Sequence, residues 1–153
     1  MSQRNIHAIE SNRPIAVIFL QGACSLRCPF CITDDGPDAM TRQECGDLLR
    51  RLKADGITQV VIGGGEPCEW PGDWRWAAQT AHRQGFLVQL GTNGAPLPEG
   101  FECEQAVDRF VLPLDGASAS IHNRLRPMAP LSKRGARQDP AWLDKPGPRS
   151  GHF

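Results

Sequence analysis

Pro14-Ile15-Ala16-Val17-Ile18-Phe19-Leu20 is an unbroken apolar run, rich in β-branched residues and closed by Gln21-Gly22. A strand with one wet face would alternate apolar and polar residues, so this run reads as a strand buried on both faces, as in a parallel sheet. Three more such segments follow, Thr58 to Ile62, Phe86 to Leu90 and Arg109 to Leu114. Helical patterns lie between them. Thr41 and Glu44 make a capping box, Leu48, Leu49 and Leu52 repeat at helical spacing, and Gly56 supplies the stop. A second helix is predicted from Trp74 to Gln84 and closes at Gly85. The connection from Ala95 to Asp108 starts with prolines and holds at most a short helix, and Ser118 is placed to cap a last helix through Ile121 and Leu125. Strands that alternate with helices predict an α/β fold around a parallel sheet, with ligand sites beyond the carboxyl ends of the strands.

The residues that carry chemistry stand at those ends. Cys24, Cys28 and Cys31 form a C-x3-C-x2-C pattern on the loop that leaves the first strand. Three thiolates on one loop can hold three irons of a four-iron cluster and leave the fourth iron without a protein ligand. A structural zinc site completed by a histidine, or plain buried thiols, are the alternatives, although zinc favours C-x2-C pairs with a second pair at a distance, and none is present. The second strand runs into Gly63-Gly64-Gly65-Glu66-Pro67. Glycines at 64 and 65 allow close backbone approach, and Glu66 offers a carboxylate for a cationic group; a tight turn is the simpler reading. Asn93-Gly94 and Asp115-Gly116 end the third and fourth strands, and both are also common turn pairs.

The cysteine spacing, with Phe30 just before the last cysteine, and the Gly-Gly-Glu-Pro sequence at the second strand resemble the radical S-adenosylmethionine (radical SAM) superfamily. The resemblance implies a [4Fe-4S] cluster on Cys24, Cys28 and Cys31, with S-adenosyl-L-methionine chelating the open iron. It implies reductive cleavage to a 5′-deoxyadenosyl radical that abstracts hydrogen from a substrate. Among the cofactor-binding residues it implies, Phe30 lies beside the adenine, Gly64, Gly65 and Glu66 near the amino group, and Asn93 and Asp115 around the methionyl group and ribose. His122 and Arg124 follow Asp115 in a pattern common in the superfamily, as substrate-facing groups or as a solvated helix face.

The fold so implied is a partial TIM barrel. The resemblance covers Pro14 to Leu125, about four β/α units at roughly 30 residues each, where the superfamily usually has about six. The expected organisation is a barrel core over residues 1–126, C-terminally shortened or completed by another chain or by a homo-oligomer. In residues 127–153 prolines interleave with lysines and arginines without periodicity, so a disordered or loosely attached tail is expected.

With 17 basic and 17 acidic residues in 153, the net charge is zero, which argues against nucleic acid or an anionic membrane as a partner. No apolar run approaches a membrane span and residues 1–8 lack a secretion signal, so a cytoplasmic location and free thiols are expected. Cys45, Cys68 and Cys103 are too scattered for a second cluster and read as core thiols. The expected function is radical chemistry on a peptide or small molecule, with a flavodoxin or ferredoxin as low-potential electron donor. Pro113 to Gly116 resembles members that act on such substrates, whereas Ile18 to Gly22 resembles glycyl-radical-enzyme activating proteins. A truncated, non-catalytic iron-sulfur and SAM-binding module is the binding-class alternative.

Overall fold

The structure is a computed structural model and describes residues 14–33 and 36–128. Strands β1 (Ile15–Phe19), β2 (Gln59–Gly63), β3 (Leu87–Gly91) and β4 (Arg109–Val111) form one sheet in chain order, and every adjacent pair is parallel. Helices α1 (Arg42–Ala54) and α2 (Trp74–Arg83) make the crossovers after β1 and β2, and α3 (Ala119–Leu125) follows β4. Between β3 and β4 there is only a 3-10 turn at Phe101–Cys103, in keeping with the proline-broken connection.

The caps form as their residue types require. The Thr41 side chain accepts from the Glu44 N–H at 3.1 Å while the Thr41 N–H donates to the Glu44 carboxylate at 2.7 Å. Asp73, with its side chain accepting from the Arg75 N–H at 3.0 Å, caps α2. Fixed entry points let each helix turn its apolar stripe to the sheet. Ile18, Val60, Ile62, Val88 and Leu90 point to that side and pack with Leu49, Ala77, Ala81 and two tryptophans, Trp70 and Trp74.

The opposite face corrects the reading of the first strand. Ile15 and Val17 are 52% and 60% exposed and Phe19 is also exposed, so β1 is buried on one face only. Among the described residues the helices cover a single side of the sheet, and parallel register aligns Val17 with Val61 and Gln89 on the other. An apolar run does not reveal which of its faces is covered. β4 is also shorter than expected, because Pro113 has no N–H to extend the ladder.

The expected boundary at 126/127 falls within a paired segment. Leu26 and Met128 form an isolated antiparallel bridge, and the Arg27 N–H donates to the Pro127 carbonyl at 2.8 Å. Of the tail expected over residues 127–153, residues 129–153 lie outside the described residues.

Truncation of Leu49, 1% exposed in the core, to Ala is expected to lower unfolding free energy by about 2–5 kcal/mol. Val17→Ala, on the open face, is expected to change it by about 0.5 kcal/mol. Urea unfolding of both variants tests the one-sided core; equal losses would contradict it.

Candidate functional site

Past the end of β1 the chain continues to pair with the chain past β2. The Leu20 N–H donates to the Gly63 carbonyl (3.2 Å), the Gly65 N–H to Gln21 (2.7 Å) and the Glu66 N–H to Ala23 (2.8 Å). The buried Gln21 side chain closes the ladder by donating to the Glu66 carbonyl at 2.8 Å. The two glycines exist for this contact. Gly64 has φ +117°, and a Cβ on Gly65 would sit 2.1 Å from the Ala23 oxygen. The close approach read from the sequence is therefore made to the chain's own residues 21–23, and it fixes the start of the cysteine loop.

Glu66 is 0% exposed. Its Oε1 accepts from the Cys68 N–H (2.9 Å) and the Thr92 hydroxyl (2.6 Å), and its Oε2 from the Asn93 N–H (2.7 Å). Burial pushes its pKa up, and these donors act against that shift. The sequence reading directed this carboxylate at a cofactor's amino group. In the fold it is enclosed, and it ties the end of β2 to the loop after β3. A glutamate following glycines on a strand end carries no sequence mark that distinguishes these two uses.

Asn93 is drawn to the cysteines by the same bond. Its Oδ1 accepts from the Ala95 N–H at 2.8 Å, which turns Nδ2 to within 3.5 Å of the Cys24 sulfur. The Leu26 N–H also donates to that sulfur at 3.3 Å. Cys31 Sγ lies 3.2 Å from the Thr33 hydroxyl and accepts from the Thr33 N–H at 3.5 Å. Cys28 Sγ is met by Arg126 Nη1 at 3.9 Å. Burial raises the pKa of Cys24 and Cys28, and on Cys28 the arginine's charge works in the opposite direction.

Three free thiols on one loop, each with a donor at its sulfur, form a donor set suited to a soft metal centre. Among the described residues no three His, Cys, Asp or Glu side chains converge on a single ion. In a four-iron cluster each iron takes its own cysteine, so the three thiols of this loop match that donor set in number and type.

The remaining expected residues have specific partners. Phe30 is half-exposed beneath the Arg126 guanidinium, whose Cζ lies 5.3 Å from the ring centroid. Asp115 pairs with the same guanidinium, which holds its carboxyl below the usual range. His122 is buried and accepts from the Asp115 N–H at 3.3 Å, so it does not belong to a solvated face; Arg124 is exposed. Cys45 is a core thiol as expected, with a pKa raised to about 11 by burial, while Cys68 is half-buried and Cys103 exposed. Arg126 was not singled out in the sequence. It lies 98 residues from Cys28, and no short-range pattern connects them.

Known proteins resemble this chain in sequence and in fold. The family profile described as the Radical SAM superfamily matches residues 18–134. The chain is 32% identical over 111 residues to mycofactocin maturase MftC of Mycobacterium tuberculosis, covering 68% of this chain and 28% of that protein. It is 32% identical over 116 residues to the AdoMet-dependent heme synthase of Methanosarcina barkeri, covering 71% of this chain and 33% of that protein. The structure of Streptococcus suis SuiB bound to its precursor peptide SuiA superposes with a TM-score of 0.67 at 21% identity, over 76% of this chain and 27% of SuiB. The sheet and helices are thus those of a partial barrel, and the chain spans about a third or less of the length of these proteins.

Glu66→Ala would leave the Cys68 and Asn93 N–H groups and the Thr92 hydroxyl without their acceptor. At about 1–3 kcal/mol for each buried unsatisfied group, a loss of about 3 kcal/mol or more is expected in denaturant unfolding. A variant as stable as the parent would contradict the bracing role. Gly65→Ala is expected to lose about 1–3 kcal/mol. Gly63→Ala, where a Cβ meets nothing within 4 Å, should stay within about 0.5 kcal/mol, and equal effects in thermal melts would count against the backbone contact.

Proposed function

The chain belongs to the radical SAM superfamily, and from that membership we propose that it holds a [4Fe-4S] cluster on Cys24, Cys28 and Cys31 and uses S-adenosylmethionine to start radical chemistry on a peptide. The observation that carries this reading is the cysteine loop itself. Each of its sulfurs has a donor of its own, and the Gly64-Gly65-Glu66 backbone holds the loop at the carboxyl end of the sheet.

Cys24, Cys28 and Cys31 would hold the cluster, which when bound and reduced would supply the one electron needed for reductive cleavage of S-adenosylmethionine and so for hydrogen abstraction from the substrate. The protein's residues prepare the place for this. Asn93 and the Leu26 N–H orient the Cys24 sulfur, and Thr33 orients that of Cys31. Phe30 offers an exposed aromatic edge for the adenine, and Glu66 acts indirectly, by fixing Asn93 and the glycine backbone. The electron comes from a low-potential one-electron donor of the flavodoxin or ferredoxin kind.

A peptide substrate is favoured because MftC is named a maturase and SuiB is bound to a precursor peptide. Pro113 to Gly116 resembles members that act on either substrate class, and a small molecule is the runner-up. The glycyl-radical activating alternative gains no support from these relatives. Among the described residues no helix is long and apolar enough to cross a membrane.

Anaerobic reconstitution should load about four irons per chain, and Cys28→Ala should abolish that loading. Dithionite-reduced protein should release methionine and 5′-deoxyadenosine. Loading without release would leave a cofactor-binding module, and undiminished iron in Cys28→Ala would refute the ligand assignment.

A further inference from the structure

The guanidinium of Arg126 joins three groups that the sequence assigns to separate tasks. Its Nε and Nη2 pair with the two carboxylate oxygens of Asp115, the second at 3.4 Å. It lies over Phe30, with Cζ 5.3 Å from the ring centroid, and Nη1 reaches Cys28 Sγ at 3.9 Å. Main-chain contacts reinforce the arrangement, since the Arg27 N–H donates to the Pro127 carbonyl and Leu26 bridges to Met128. The segment leaving α3 is therefore strapped along the cysteine loop.

We propose that Arg126 is a positioning residue for the cluster, held by Asp115 and Phe30 so that its charge lies beside the Cys28 corner and makes the cluster easier to reduce. This rests on the function proposed above. Reduction adds one negative charge, and a fixed cation next to a ligating sulfur stabilises the more negative state. The side chain is only 19% exposed, so solvent screens that charge less than it would at an open surface. Asp115 offsets part of the charge, but it also sets the direction. With Nε and Nη2 committed to the carboxylate, Nη1 is the nitrogen left for the sulfur. The planar fork can pair, stack and reach the sulfur at once, which an ammonium group cannot do.

The test is the midpoint potential of the reconstituted cluster, measured without S-adenosylmethionine or substrate by a dithionite titration with viologen mediators and read by electron paramagnetic resonance. In Arg126→Ala the equilibrium constant for one-electron reduction should fall about tenfold, about 59 mV more negative. Arg126→Lys should recover part of the shift, and Asp115→Asn should move the potential the other way. A merely structural arginine would alter iron retention while leaving the potential in place, so an unchanged value in Arg126→Ala overturns the proposal. Should that variant hold no cluster, Asp115→Asn decides, and a potential equal to or below that of the parent overturns it. Failure of the parent chain to take up iron would instead remove the proposed function, and this inference with it.

Discussion

A buried carboxylate braces the carboxyl end of the sheet. Glu66 accepts hydrogen bonds from Cys68, Thr92 and Asn93, while its own backbone pairs with Ala23 and Gln21. One residue thereby connects the ends of β1, β2 and β3. Taking a carboxylate out of water is unfavourable unless its oxygens are satisfied. The three donors provide that satisfaction, so the strand ends adopt a single arrangement, with Asn93 delivered to the Cys24 sulfur.

The cysteine loop depends on this brace at one end and on Arg126 at the other. Gly64 and Gly65 permit backbone contact with residues 21–23, which sets the path of the chain into Cys24. Pro127 and Met128 close against Leu26 and Arg27, just before Cys28. Beyond these anchors the loop exposes Phe30 and Cys31, where a ligand outside the sheet can meet them. The fold contributes a rigid platform, and the chemistry belongs to the loop mounted on it.

The parts of this arrangement that were legible in sequence are local. The capping box at Thr41, the stop at Gly56, the four strands in order and the cysteine spacing all depend on neighbours within a few residues. What was not legible depends on distant partners. The apolar run of β1 gave no sign that Ile15 and Val17 face away from the helices, since covered and open faces have the same residue types here. Glu66 reads as a ligand for a cation until Thr92 and Asn93 are seen to surround it. Arg126 has no sequence signature at all, because its role comes from Asp115, Phe30 and Cys28 meeting in space.

In the proposed function the braced cysteine loop holds a cluster with one iron open to S-adenosylmethionine. Electron paramagnetic resonance of a single reduced, reconstituted sample, recorded before and after addition of S-adenosylmethionine, tests it most directly. A cluster signal whose g-values shift on addition is expected, as the ligand occupies the open iron. A strong cluster signal that S-adenosylmethionine leaves unchanged would contradict it.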